Sequence, residues 1–305
     1  FPGWLLLWSA ILSLWSAISM PPVSRATLTR YVGCMSTSHG SVAESAEAAE
    51  SGKPVALITG ASRGIGLAIA RELASTHELI LGASSEDSLT DVLAEFPGAR
   101  PFIAELTDKD AIARAVADAG FGGGSGAGGS GEGATASGFG EGADAIPRLD
   151  VLVHSAGVAD GETVAETPWD VYERVFSVNV FAVAELTRLL LPALRAARGQ
   201  VVTINSGSGY FSGVGAAVYS GSKFALRAFS DALREEERGS VRVTSIHPGR
   251  VDTDMQVELQ ASYGNHDYDG SLYIRPESVA ATVRLAVDAT PEAMIENLAI
   301  RPVHK

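Results

Sequence analysis

The chain holds one cysteine, Cys34, in 305 residues. A lone thiol makes no intrachain disulfide and no cysteine-based zinc site, and it suits a reducing compartment. Basic residues are also short. Lys and Arg number 23 against 36 Asp and Glu, for a net charge of −13 and a pI near 4.9. Without a cationic excess, the chain is a poor partner for nucleic-acid phosphates. The six histidines (His39, His77, His154, His247, His266 and His304) are scattered with no HExxH or paired spacing, so no metal is expected. Apolar residues reach 46%. That supports a sizeable core and excludes disorder along the whole chain.

Trp4 to Met20 is apolar or small throughout, with no basic segment before it. Three readings stay open. It lies upstream of a mature start at Met20 or Met35, or it is a targeting segment, or it is an anchor at the short limit for a membrane span. Membrane contact is expected only if residues 4–20 are retained; otherwise the protein is expected in the cytoplasm. From Pro21 to Lys53 the chain is rich in Ser, Thr, Ala and Glu without an apolar period, and reads as a disordered tail. The expected organisation is a tail over 1–53 and one ordered domain over 54–305.

That domain alternates strand-like and helix-like segments. Val55–Thr59 is a short apolar run, as in a buried parallel strand, and LAIARELAS after it has helical spacing. Further strands are expected at Glu78–Gly82, in RPFIAEL, LDVLVHSAG, QVVTINS and VRVTSIHPG, and near Leu298–Val303. Helices are expected in SLTDVLAEF and DKDAIARAVADAG, and over 169–195, 216–237 and 276–289. The pattern predicts a doubly wound α/β fold, a parallel sheet covered by helices on both faces. A Gly/Ser/Ala-rich stretch at about 120–143 interrupts it and reads as a flexible surface insertion, with a domain boundary as the alternative.

Thr59-Gly60-Ala61-Ser62-Arg63-Gly64-Ile65-Gly66 joins the first strand to the first helix. Glycines there let a pyrophosphate approach the backbone at a helix N-terminus, where free N–H groups favour negative charge. An ordinary glycine-rich turn is the bland alternative. The spacing is G-x-x-x-G-x-G, not G-x-G-x-x-G. Further along, Tyr219 and Lys223 are four residues apart on an expected helix, so both side chains share one face. In isolation such a pair is most often a surface contact. Ser206 ends an expected buried strand, where α/β sheets hold ligands.

TGASRGIG resembles the coenzyme turn of the short-chain dehydrogenase/reductase family. HSAG (His154 to Gly157), Asn179 in SVNV, Ser206 in INSGSG, Tyr219 and Lys223 in YSGSK, and Pro248-Gly249 in HPGRVDT follow in that family's order, over about residues 54–302. The resemblance implies a catalytic tetrad of Asn179, Ser206, Tyr219 and Lys223, and its spacing selects Ser206 over Ser208. Tyr219 is then the acid and base for a carbonyl or secondary alcohol, its phenol made more acidic by the lysine ammonium. Asn179, or the kink at it, is implied to hold a water that links the lysine to solvent. The implied coenzyme contacts are Gly60, Ser62, Arg63, Gly64, Ile65 and Gly66; Ser84 and Ser85; Glu105 and Leu106; Ser155, Ala156 and Gly157; Tyr219 and Lys223; and Pro248, Gly249, Val251 and Thr253.

No acid stands at the tip of the second strand, Leu81-Gly82-Ala83-Ser84-Ser85, although Glu86 and Asp87 follow. With Arg63 in the turn, NADP is expected over NAD. HSAG lacks the family's asparagine pair, and Glu105 stands where an Asp is usual. Residues 255–275, with Tyr263, Tyr268 and Tyr273, are the implied substrate lid. The helices at 169–195 and 216–237 carry apolar residues on more than one face, and the resemblance implies that such helices form the core of a homodimer or homotetramer. The rival function is a regulator that binds a dinucleotide on this fold without catalysis.

Overall fold

Seven short strands among the described residues make one parallel sheet. A computed structural model describes residues 52–121, 148–262 and 264–303. The apolar run 4–20, the tail to Ser51 and the glycine-rich stretch over 122–147 lie outside the described residues, as does Tyr263. The strands are β1 (Val55–Ile58), β2 (Glu78–Ala83), β3 (Arg100–Ile103), β4 (Val151–His154), β5 (Gln200–Ile204), β6 (Arg242–Pro248) and β7 (Asn297–Ile300). Their order across the sheet is β3-β2-β1-β4-β5-β6-β7.

The sheet is buried on both faces, which is why its strands read as continuous apolar runs rather than alternating ones. Successive side chains of a strand point to opposite faces. Ala56 and Ile58 of β1 therefore join one core with Ile69 and Leu73, and with Val279 and Val283. Val55 and Leu57 join the other with Ile112, Leu186, Leu190 and Leu233. The helices that supply these residues are α1 (Gly64–Leu73), α3 (Lys109–Val116), α5 (Ala182–Ala197), α6 (Ala217–Glu236) and α8 (Pro276–Val287). A short α2 (Thr90–Glu95) follows β2, and α4 (Trp169–Phe176) precedes α5. By length and composition the run Trp169–Ala197 could cross a membrane. Here its Leu186, Leu190 and Leu194 are buried in the core on the sheet.

Three local features differ from the expected pattern. The first helix begins at Gly64, not at the apolar run from Leu67, so two motif glycines lie inside it. The helix over 169–195 is broken by a π-helical turn, Ser177–Phe181. The stretch after β6 contains a helix, α7 (Asp254–Ser262), where only an irregular lid was expected. Thr253 caps it, its hydroxyl accepting from the Gln256 N–H at 3.3 Å.

The strand order reverses direction between β1 and β4: β2 and β3 lie to one side, and the chain returns to build β4 on the other. A crevice opens outside the carboxyl ends of the strands at such a switch point, and ligands bind there in open α/β sheets.

Candidate active site

The glycine turn and the β4 turn meet in that crevice. Gly60 has φ of +65°, and a Cβ on it would lie 2.8 Å from the Ala156 Cα. A Cβ on Gly66 would lie 2.1 Å from the Gly60 carbonyl oxygen. Neither position accepts a side chain, so the backbone itself forms the wall of the cleft. Thr59 ties the turns together. Its hydroxyl accepts from the Ser155 and Ala156 N–H groups, each at 3.1 Å.

The resulting cleft holds about 370 Å³ and runs from Ser84, Glu105 and Leu106 past the glycine turn to Gly157 and Thr253. Gly60, Ser62, Arg63, Gly64, Ile65, Gly66, Ser155 and Ala156, all among the expected coenzyme contacts, line it. Ser85 does not. Its side chain is exposed outside the lining, and its carbonyl accepts from the Ser88 hydroxyl at 2.7 Å. Glu105 is turned towards its own loop, accepting from the Thr107 N–H and hydroxyl. Arg63 reaches Asp254 of α7 at 3.4 Å, an exposed pair that contributes little by itself. The buried Ser155 hydroxyl has no hydrogen-bond partner, so it is free for a polar group of a ligand in the cleft.

A second cleft of about 400 Å³ adjoins the first and shares Ile65, Thr253 and Met255 with it. Ser206, Tyr219, Pro248, Gly249 and Val251 line this one. Tyr219 lies in the first turn of α6 and hydrogen-bonds Ser206. Ser206 is fixed on both sides. Its Oγ accepts from the Ser208 N–H at 3.1 Å, and its carbonyl accepts from the Nδ1 of His247, whose pKa burial lowers. His247 stacks on Tyr210 with ring centroids 4.5 Å apart. Thr59 and His247 stand first in TGASRGIG and HPGRVDT, but the motifs give them no role, and Tyr210 lies outside the motifs.

Lys223, one turn beyond Tyr219, is 5% exposed and stands behind the lining. Its Nζ donates to the Ile204 carbonyl at 3.1 Å and lies 5.8 Å from the Tyr219 ring centroid. Asn179 is 1% exposed, not a solvent-facing helix residue. In the π-helical turn its Oδ1 accepts from the Val158 N–H, and its Nδ2 donates to the Val158 carbonyl and to Ser222 Oγ. A Cβ on Gly157 would lie 3.3 Å from Asn179 Oδ1 and 3.7 Å from Lys223 Nζ, so glycine there lets both stand close to the β4 turn.

The electrostatics correct one expectation: the net shift of the Tyr219 phenol is upward, not downward. Burial pushes the phenol above its usual value, and only the Ser206 hydrogen bond opposes that. The ammonium is held by a backbone carbonyl rather than by the phenol oxygen, and burial pushes its own pKa from 10.5 down to about 8.

His154, the departure in HSAG, is a packing residue. It is 3% exposed, its Nε2 is 2.8 Å from Thr187 Oγ1, and burial pushes its pKa from 6.5 down to about 3. The unfolded chain protonates it below pH 6.5 and the folded chain does not, so stability falls as the pH drops from 6.5 towards 3. Thermal melts across that range should show the parent losing stability more steeply than His154→Asn. Parallel slopes would contradict the assignment.

A family model for the short chain dehydrogenases matches residues 54–122 and 134–264. The chain belongs to that family. It is accordingly a dehydrogenase/reductase. Serine 3-dehydrogenase of Agrobacterium fabrum is 30% identical over 258 residues, covering 82% of this chain and 94% of the relative. Among solved structures, an alcohol dehydrogenase of Thermococcus sibiricus complexed with 5-hydroxy-NADP has 25% identity and a TM-score of 0.67, covering 83% of this chain and 97% of that one. A metagenomic short-chain oxidoreductase in complex with NADP has 28% identity and a TM-score of 0.62, covering 83% and 98%.

Proposed function

We propose that this short-chain dehydrogenase is NADP-dependent and interconverts a carbonyl compound and a secondary alcohol, with Tyr219 as general acid and base. One observation carries the reading: the Tyr219 hydroxyl is hydrogen-bonded to Ser206 in the lining of the second cleft, with a buried lysine beside its ring. The residues fit the coenzyme. The Gly60–Gly66 backbone suits a pyrophosphate, the unpartnered Ser155 hydroxyl suits a ribose, and Ser84 with Arg63 suits the extra phosphate. The NADP-bound relatives support the same choice. When bound, the nicotinamide gives or takes the hydride.

The protein's part is to hold the reacting oxygen and to move its proton. In reduction, Ser206 donates a hydrogen bond to the carbonyl oxygen, and Tyr219 transfers its proton to that oxygen as the new C–H bond forms. The charge left on the phenolate is stabilised by Lys223, and solvent returns the proton. Alcohol oxidation runs the same transfers backwards. Asn179 holds the β4 turn against α6, so its role is positional. A regulator that only bound a dinucleotide would have no use for a lysine buried at this cost.

The reading extends to a cytoplasmic homo-oligomer. Trp169 and Phe181, at the two ends of the α4 region, and Phe224 on α6 are exposed apolar side chains suited to a subunit interface.

Turnover of a panel of aldehydes, ketones and secondary alcohols, followed by absorbance of the reduced nicotinamide, tests the reading. NADPH should exceed NADH in kcat/KM by about tenfold or more, the worth of one charge-assisted contact to phosphate. Preference for NADH would overturn the coenzyme assignment. Coenzyme binding without turnover of any substrate would favour the regulator.

A further inference from the structure

The second cleft differs in charge from the rest of this acidic chain. Arg250 and Arg301 line it together with Gln256 and Gln260, and no Asp or Glu is among its described lining residues. Arg301 follows β7 and reaches back over the end of β6. Its Nη1 donates to the His247 and Ile300 carbonyls. Its Nη2 makes no hydrogen bond among the described residues, and lies 3.4 Å from where a Cβ on Gly207 would be, next in sequence to Ser206. The guanidinium is thus aimed by backbone carbonyls, which fix its direction and leave its charge uncompensated. Many arginines elsewhere are closed by carboxylates, as Arg71 is by Glu95 and Arg188 by Glu185, while Arg242, held like Arg301 by backbone carbonyls, lies outside the cleft lining. Arg250 lies 5.1 Å from the Tyr273 ring centroid and has no carboxylate partner among the described residues.

An uncompensated arginine beside the reacting oxygen's site is a receptor for an anion. We propose that the substrate is a hydroxy or oxo acid whose carboxylate is held by Arg301, with Arg250 adding charge at the rim. This rests on the carbonyl/alcohol reading above and names its substrate class. The same lining disfavours an amino acid, because an ammonium group would meet two cations and no carboxylate. Arg301 is then the specificity-determining residue.

Matched pairs test this. Acetoacetate and its methyl ester share the ketone and differ in the charge; 3-hydroxybutanoate and threonine share the secondary alcohol and differ by the ammonium. The acid should exceed the ester, and the hydroxy acid should exceed threonine, by about tenfold or more in kcat/KM. Arg301→Ala should collapse the acid-to-ester ratio towards one, Arg301→Gln should do likewise with less disturbance of the β6–β7 backbone, and Arg250→Ala should lower the ratio about threefold. Calorimetry of acetoacetate binding to the protein loaded with oxidised NADP, a pair that cannot exchange a hydride, gives a readout without turnover, and Arg301→Gln should weaken it about tenfold. Equal use of acid and ester, or a ratio and an affinity unmoved by Arg301→Gln, overturns the proposal while leaving the reductase reading intact. No turnover of any carbonyl defeats that reading instead, and the binding experiment still decides on the anion.

Discussion

Replacing Tyr219 by Phe should lower kcat by about a hundred- to ten-thousandfold, the range lost when a positioned acid or base is removed. The variant deletes one oxygen. The ring stays in the first turn of α6, and Ser206 keeps its hydrogen bond from the Ser208 N–H. The phenol makes one net hydrogen bond, with Ser206, so stability should change by about 1 kcal/mol or less. Tyr219 lines the second cleft and not the first, so affinity for NADP should stay close to that of the parent. Melting, coenzyme titration and steady-state kinetics on one preparation separate these effects. Parent-level turnover in a folded, coenzyme-binding variant would remove Tyr219 from the chemistry. Lost turnover together with lost coenzyme binding would point to a positional role instead.

Most of the scaffold is legible in the sequence because it rests on local patterns. Val55–Ile58 is apolar at every position since both faces of β1 are covered, and the glycines that follow are needed where a Cβ would strike backbone. The π-helical turn at Ser177–Phe181 leaves no such trace, since one extra residue in a helix barely disturbs the apolar spacing. Helix α7 is nearly featureless because little of it is buried, so it reads as a loop. Arg301 escapes notice for a different reason. It lies 95 residues beyond Ser206 in the chain, and only the pairing of β6 with β7 brings it to the cleft. The upward shift of Tyr219 is not legible in the motifs, because spacing records which charges are near and says nothing of how much water has been removed around them.

That desolvation makes Lys223 the second large lever. A lysine whose pKa falls from 10.5 to about 8 on folding costs about 3 kcal/mol at neutral pH. Lys223→Met keeps the length of the side chain and removes the buried charge. It also leaves the Ile204 carbonyl without its donor, which offsets about 1 kcal/mol. The variant should therefore be more stable by about 2 kcal/mol at pH 7, raising Tm by about 5 °C, while losing most of its activity. The sign with pH follows from proton uptake. Below pH 8 the lysine is charged in both states and the full cost is present. Between pH 8 and 10.5 the folded lysine is neutral and the unfolded one is charged, so the parent gains stability as pH rises and the advantage of the variant shrinks. Carbonyl reduction by the parent should follow the same group, with kcat/KM falling as pH rises through about 8 and the ammonium beside the phenol is lost. Melts at pH 7 and pH 10 with a pH–rate profile would check both halves. A methionine variant that is less stable at pH 7, or a reduction rate flat across pH 8, would show that this lysine is not the strained, charged partner of Tyr219.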